Sequence, residues 1–216
     1  YYRYYTEGSS SGLLKYAFGP EAYARLAGAL GTGLDALSDE QVDDYADMAL
    51  AYDTTGRVSS VVVAGAGCSA CSGGLGTYTY SYGTSANADG FNSWKTRTVE
   101  TLPDGGQITV YTNAFTQVML RDETDGVTGQ NRIYYFRYDN TGRLVMSAQP
   151  SAVSGYDDSY PDLVDFADGD TAFLRDDSGL LALYSYGSET TASASVPGSA
   201  EGRLASVALR HGETGA

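Results

Sequence analysis

Three groups of residues have the types and spacing that chemistry needs: a cysteine pair, an acidic run and a lone histidine. Cys68 and Cys71 form a Cys-Ser-Ala-Cys sequence with glycines on both sides. A redox pair of this spacing opens a helix, whose N-terminus lowers the thiolate pKa; the flanks here offer no helix. Zinc needs two further ligands, and His211 is the sole histidine, far away in sequence. A short-loop disulfide in an oxidising compartment, or two structural thiols, accounts for the pair. The acidic run holds Asp157, Asp158, Asp162, Asp165, Asp168, Asp170, Asp176 and Asp177. Calcium, a hard cation that collects loop carboxylates, would use Asp165, Asp168 and Asp170. Their spacing departs from the twelve-residue calcium loop, and the bidentate Glu is missing. A solvated acidic loop with turn-forming Asp explains the same residues.

Nucleophilic catalysis has little to work with. Serines are abundant, but His211 is the lone imidazole base. Gly65-Ala66-Gly67 lacks the Lys-Ser/Thr ending of a phosphate loop. No motif singles out a carboxylate pair. The chain is therefore expected to be non-catalytic and without a cofactor, calcium being the one ion its residues would suit.

The net charge of −14 argues against nucleic acid and anionic membrane surfaces, which want a basic footprint. No run of about 18 apolar residues is present, so no transmembrane segment is expected. Hydrophobic residues make up 42%, enough for a core. With 27 Gly, 19 Tyr and only 5 Pro, the composition favours many strands and many turns. The sequence opens on Tyr1 with neither an initiator Met nor a basic and apolar leader, and reads as a portion of a longer protein.

Along the chain, 1–5 and 13–18 read as strands. Then the period changes. Pro20 and Glu21 open a helix with apolar residues at Tyr23, Leu26, Ala27 and Leu30. Ser38 to Gln41 is a capping box, and its helix is expected to run through Val42, Tyr45 and Leu50. Residues 20–50 thus form a two-helix insertion. Further strands are expected at 55–64, 77–82, 94–102, 107–112, 116–121, 131–138, 143–147, 172–174, 180–186 and 204–209. Residues 151–177 read as looser and acidic. Tyr78, Tyr80 and Tyr82 alternate along one strand face; cross-strand packing explains them, and an aromatic platform for sugars or partners is the sharper reading.

Two segments share one pattern. Tyr52-Asp53-Thr54-Thr55-Gly56-Arg57-Val58 and Tyr138-Asp139-Asn140-Thr141-Gly142-Arg143-Leu144 both read Tyr-Asp-x-x-Gly-Arg-aliphatic. Asp at the turn opening accepts a hydrogen bond from the backbone two residues on. Gly three residues later supplies the positive φ of a type I turn followed by a bulge. Arg175 to Leu180 and Ser199 to Leu204 are degenerate versions.

This pattern resembles the YD repeat of the RHS family of large, mostly bacterial, secreted or cell-surface polypeptides. The matches begin near residue 50 and continue to the end. Tyr52 and Tyr138 are 86 residues apart, wider than the roughly 20 residues usual for such repeats. The resemblance implies a mainly β fold: antiparallel hairpin repeats forming part of a spiralling RHS-type sheet, here 1–216 with the helical insertion within it. It implies a non-catalytic structural wall or scaffold, located outside the cell or on its surface. The partners implied are neighbouring repeats of the same or a longer polypeptide, an encapsulated effector, or a glycan on Tyr-rich faces, the last being the adhesive alternative. The family's self-cleaving core motif is absent from these residues, so neither protease nor toxin is carried over.

Overall fold

The computed structural model describes residues 1–67, 74–167 and 171–215. Among them are twelve strands and two short α-helices: β1 (Tyr2–Tyr4), β2 (Leu14–Ala17), α1 (Pro20–Leu30), α2 (Asp39–Val42), β3 (Met48–Tyr52), β4 (Val58–Ala64), β5 (Leu75–Thr84), β6 (Trp94–Thr101), β7 (Gln107–Asn113), β8 (Val118–Thr124), β9 (Asn131–Tyr138), β10 (Leu144–Ala148), β11 (Leu180–Tyr186) and β12 (Leu204–His211). The strands lie in one open antiparallel sheet, in the order of the sequence. The mainly β, antiparallel expectation holds at that level. Tight turns join some neighbours, such as β3 to β4 and β9 to β10, while the longer connections after β2, β10 and β11 also return the chain to the adjacent position.

The chain divides into two compact units, Tyr1–Ser81 with Glu100–Gln107, and Tyr82–Val99 with Ile108–Ala216. In the first, the helices cover one face of β2. Tyr16 and Phe18 from that strand region pack with Ala22 and Leu26 of α1, and with Leu34, Val42 and Ala46. Ala22 and Leu26 are four residues apart, so one helix face buries both. Pro20 starts α1, where its missing N–H costs nothing. The Gly19 N–H donates to Asp47 Oδ2 at 2.6 Å. Ser38 opens α2, and its N–H donates to Gln41 Oε1 at 2.9 Å, as a capping box should.

The second helix is shorter than its sequence pattern implies. It ends at Val42, a 3₁₀ turn covers Asp43–Tyr45, and Met48–Tyr52 is strand β3. The reason is pairing. Ala49 faces Tyr16 on one side and Val62 on the other, so this stretch gains two ladders. A one-turn helix extension would offer a few internal hydrogen bonds at high nucleation cost.

In the second unit the core joins Trp94, Tyr111, Met119, Leu120, Ile133, Tyr135, Ala148 and Leu181 from strands. It also takes Ala152, Val153, Leu163, Val164 and Leu174 from the connection after β10. The stretch 151–177 is irregular and acidic, as expected, and it nevertheless supplies core residues. Its described aspartates lie at the surface or hold turns, while Val153, Leu163, Val164 and Leu174 are buried, each contributing about 1.5–3 kcal/mol. Asp162 holds the turn by accepting the N–H groups of Val164, Asp165 and Phe166. The strand expected at 172–174 is only a single bridge, Leu174 to Val153.

Candidate functional site: the Tyr-Asp turns and their tyrosines

Both Tyr-Asp turns have one construction. At the first, the Gly56 N–H donates to the Asp53 carbonyl and the Asp53 N–H to the Arg57 carbonyl, at 3.0 and 2.8 Å. Asp53 Oδ1 accepts the N–H groups of Thr55 and Arg57 and the Thr55 hydroxyl; Oδ2 takes Arg57 Nε at 2.8 Å. At the second, Gly142, Asp139, Thr141 and Arg143 repeat every one of these bonds, with Arg143 Nε at 2.7 Å. Gly56 and Gly142 both have φ +82. That is the left-handed conformation glycine adopts at no steric cost.

These bonds set the charge state. The Thr55 hydroxyl, with the N–H groups of Arg57 and Thr55 and the Arg57 side chain, holds Asp53 far below the usual carboxylate range. Partial burial pushes Asp139 the other way, but the Arg143 N–H, the Thr141 hydroxyl and the Arg143 guanidinium outweigh it and hold it equally low. Each Asp thus stays ionised as an acceptor-only hub, in charge-assisted bonds.

The tyrosines tie one hairpin to the strand before it. The Tyr52 hydroxyl, at the end of β3, donates to the carbonyl of Leu14, first residue of β2, at 2.9 Å. The Tyr138 hydroxyl, ending β9, donates to Val118, first residue of β8, at 2.7 Å. Tyr186, ending β11, donates to Leu144, first residue of β10, at 2.8 Å. The Arg143 guanidinium lies over the Tyr186 ring, 4.6 Å from its centroid, a cation–π contact.

The pattern search missed a further turn of the same build. Asn113 Oδ1 accepts the N–H groups of Phe115 and Gln117, and Thr116 sits at φ +65 where the other turns have Gly. Asn replaces Asp, Thr replaces Gly and Gln replaces Arg. A hydrogen-bonding Asn at the opening and a polar residue four later was the available signal. This turn is why β8 starts at Val118, later than its expected position. Its neighbours link it to the second Tyr-Asp turn: Gln117 Nε2 donates to the Gly142 carbonyl at 2.8 Å. The loop before β6 braces both. Phe91 stacks on Phe115 at 4.3 Å, and Asn92 exchanges two hydrogen bonds with the Tyr138 backbone.

The degenerate versions are built differently. Gly179 and Gly202 have positive φ, but Leu180 bonds to Gln149 and Ser151, and Gly202 and Arg203 bond to Gly187. Neither closes a hairpin on its own opening residue. Tyr78, Tyr80 and Tyr82 are half-buried, and the Tyr80 hydroxyl donates to Glu100 Oε1 at 2.8 Å. Cys68, Cys71, Asp168 and Asp170 lie outside the described residues. Asp165 is exposed with φ +52. Among the described residues no three metal-binding side chains cluster.

One buried polar group stands apart from these turns. Asp122 is 6% exposed, its Oδ1 has no hydrogen-bond partner, and burial raises its pKa against the hydrogen bonds from Asn131 and Tyr156. No family model matches the chain, and no curated protein is significantly similar to it.

Proposed function

We propose that this chain is a structural segment of a YD-repeat scaffold of the RHS type, non-catalytic and carried by a secreted or cell-surface polypeptide. The observation that carries the reading is the tyrosine tie, made three times from the end of one strand to the start of the strand before it. Repetition of one bond along a serial antiparallel sheet is what a wall needs: each hairpin is fixed to its predecessor, and stability accumulates from neighbour to neighbour. The Asp-centred turns add rigid, ionised hairpin ends. Neighbouring repeats are the partners this arrangement favours, and an enclosed effector is what a closed wall would hold.

Electron microscopy of the native polypeptide carrying this segment tests the proposal. A hollow shell or a long strip of sheet is expected. A compact particle in which these hairpins surround a substrate pocket, with turnover lost on mutating it, would overturn the scaffold reading.

Among the described residues no helix is long and apolar enough to cross a membrane.

A further inference from the structure

The connection from β10 to β11 is built as a unit of its own. Its two ends pair with each other: the Ser154 and Arg175 N–H groups donate to the carbonyls of Phe173 and Ala152, at 2.8 and 2.9 Å. Its middle also bonds internally, through the N–H groups of Asp157, Tyr160 and Leu163 to the carbonyls of Leu163, Asp157 and Tyr160. The middle is tied to the strands beneath it mainly through side chains. The Trp94 N–H donates to the Pro161 carbonyl at 2.8 Å, and its indole N–H to the Asp158 carbonyl at 3.0 Å. Asp158 Oδ2 lies 3.3 Å from both the Tyr111 hydroxyl and Arg97. Arg137 sits 3.9 Å from Asp162 and over the Phe166 ring. Leu163 and Val164 reach into the core.

Asp122 of β8 lies under this segment, 6% exposed, with Oδ1 unpartnered. The groups that act on its carboxyl are the Asn131 side chain from β9, the Tyr156 hydroxyl from the connection, and Glu123 beside it on β8. No cation is among them. The Tyr156 ring meets Tyr111 of β7 edge-on at 5.5 Å, and Tyr111 meets Trp94 in the same way at 5.2 Å. Arg97, the cation on that side, is paired with Asp158. An ionised Asp122 thus keeps one oxygen without a partner in an apolar setting, and the neutral acid tolerates that setting better.

We infer that residues 155–166 form a strap over β6–β9, latched while Asp122 is neutral and loosened when it ionises. Tyr156 seats the strap on the Asp122 carboxyl, so lifting the strap lets water reach both oxygens. Burial raises the pKa of the closed form. With the strap lifted, the carboxyl returns toward the ordinary value of about 3.9. Closure is therefore at full strength below that ordinary value and weakens as pH rises through the raised one. The internal bonds of the strap survive its lifting, so it moves as a piece while the sheet stays paired. This inference does not depend on the scaffold reading.

Hydrogen exchange followed by NMR tests it. Trp94 is the sole tryptophan, and both of its N–H groups bond to the strap. Their protection, corrected for intrinsic exchange, should fall about tenfold between pH 4.5 and pH 7.5. The opening that exposes them should have a smaller denaturant slope than that of the amides in the β8–β9 ladder. Asp122→Asn should hold the acid level of protection across the whole range. Tyr156→Phe removes a hydrogen bond that favours the ionised form, so it should move the fall to higher pH. That second variant still decides if Asp122→Asn does not fold. Protection independent of pH, or falling equally in Asp122→Asn, would overturn the latch. Exchange of both Trp94 protons only through global unfolding would overturn the strap.

Discussion

The Tyr138 hydroxyl donates to the Val118 carbonyl of the neighbouring strand, at 2.7 Å, so the end of β9 is fastened to the start of β8. Removing that hydroxyl with Tyr138→Phe leaves the ring packing and deletes one bond. A loss of about 1 kcal/mol is expected, read as a lower urea midpoint at constant slope. Tyr52→Phe and Tyr186→Phe should cost similar amounts. A cost confined to Tyr138 would show that the three ties are not equivalent.

The Asp hubs predict acid sensitivity. Asp53 and Asp139 have folded-state pKa values held below the unfolded value. Their stabilisation is present above the unfolded value of about 3.9 and is lost as pH falls through the folded values. Melting temperature measured from pH 6 downward should drop more steeply in the parent than in the double variant Asp53→Asn, Asp139→Asn. Parallel curves would remove the aspartates from the acid transition.

The two motif glycines should respond unequally to a Cβ. Both carry φ +82, so Gly56→Ala and Gly142→Ala share a strain of about 1–2 kcal/mol. A Cβ on Gly142 would also lie 2.6 Å from the Phe91 ring, whereas one on Gly56 meets only Leu13, at 3.9 Å. Gly142→Ala is expected to destabilise more, and Gly142→Val more again. Equal effects in denaturant titration would mean that Phe91 yields freely.

Thr116 offers the opposite substitution. A β-branched residue at φ +65 is strained, because its side chain crowds the backbone there. Thr116→Gly should raise stability by about 1 kcal/mol, less the entropy that glycine adds to the unfolded chain. A lower melting temperature would show that the Thr116 side chain repays its strain elsewhere.

Buried Asp122 should make neutral pH costly. Its pKa is raised, so its favourable contribution is full below the unfolded value and lost as pH rises through the folded one. Asp122→Asn keeps the size and removes the charge. It should gain about 1 kcal/mol at pH 7 and little at pH 3.5. A gain equal at both values would assign the effect to packing.

Much of the fold was legible because it is local. Alternating aromatic and aliphatic runs placed most strands, Pro20 and Ser38 placed the helix starts, and the spacing of Asp139 to Gly142 to Arg143 described the turn down to its positive φ. Where a segment's partner is remote, the pattern failed. Met48–Tyr52 looks helical in isolation and is a strand because β2 and β4 flank it. Asn113 to Gln117 escaped notice because Thr116 adopts a conformation its side chain disfavours, and neighbouring Phe91 and Gly142 hold it there.

The sequence by itself determined the short-range geometry: strand period, helix caps, and Asx-type turns whose bonds span at most four residues. Only the tertiary structure decided which carbonyl each tyrosine reaches and that 151–177 supplies core. Those outcomes depend on contacts between distant segments, whose loop-closure cost is recovered only when the whole sheet is assembled.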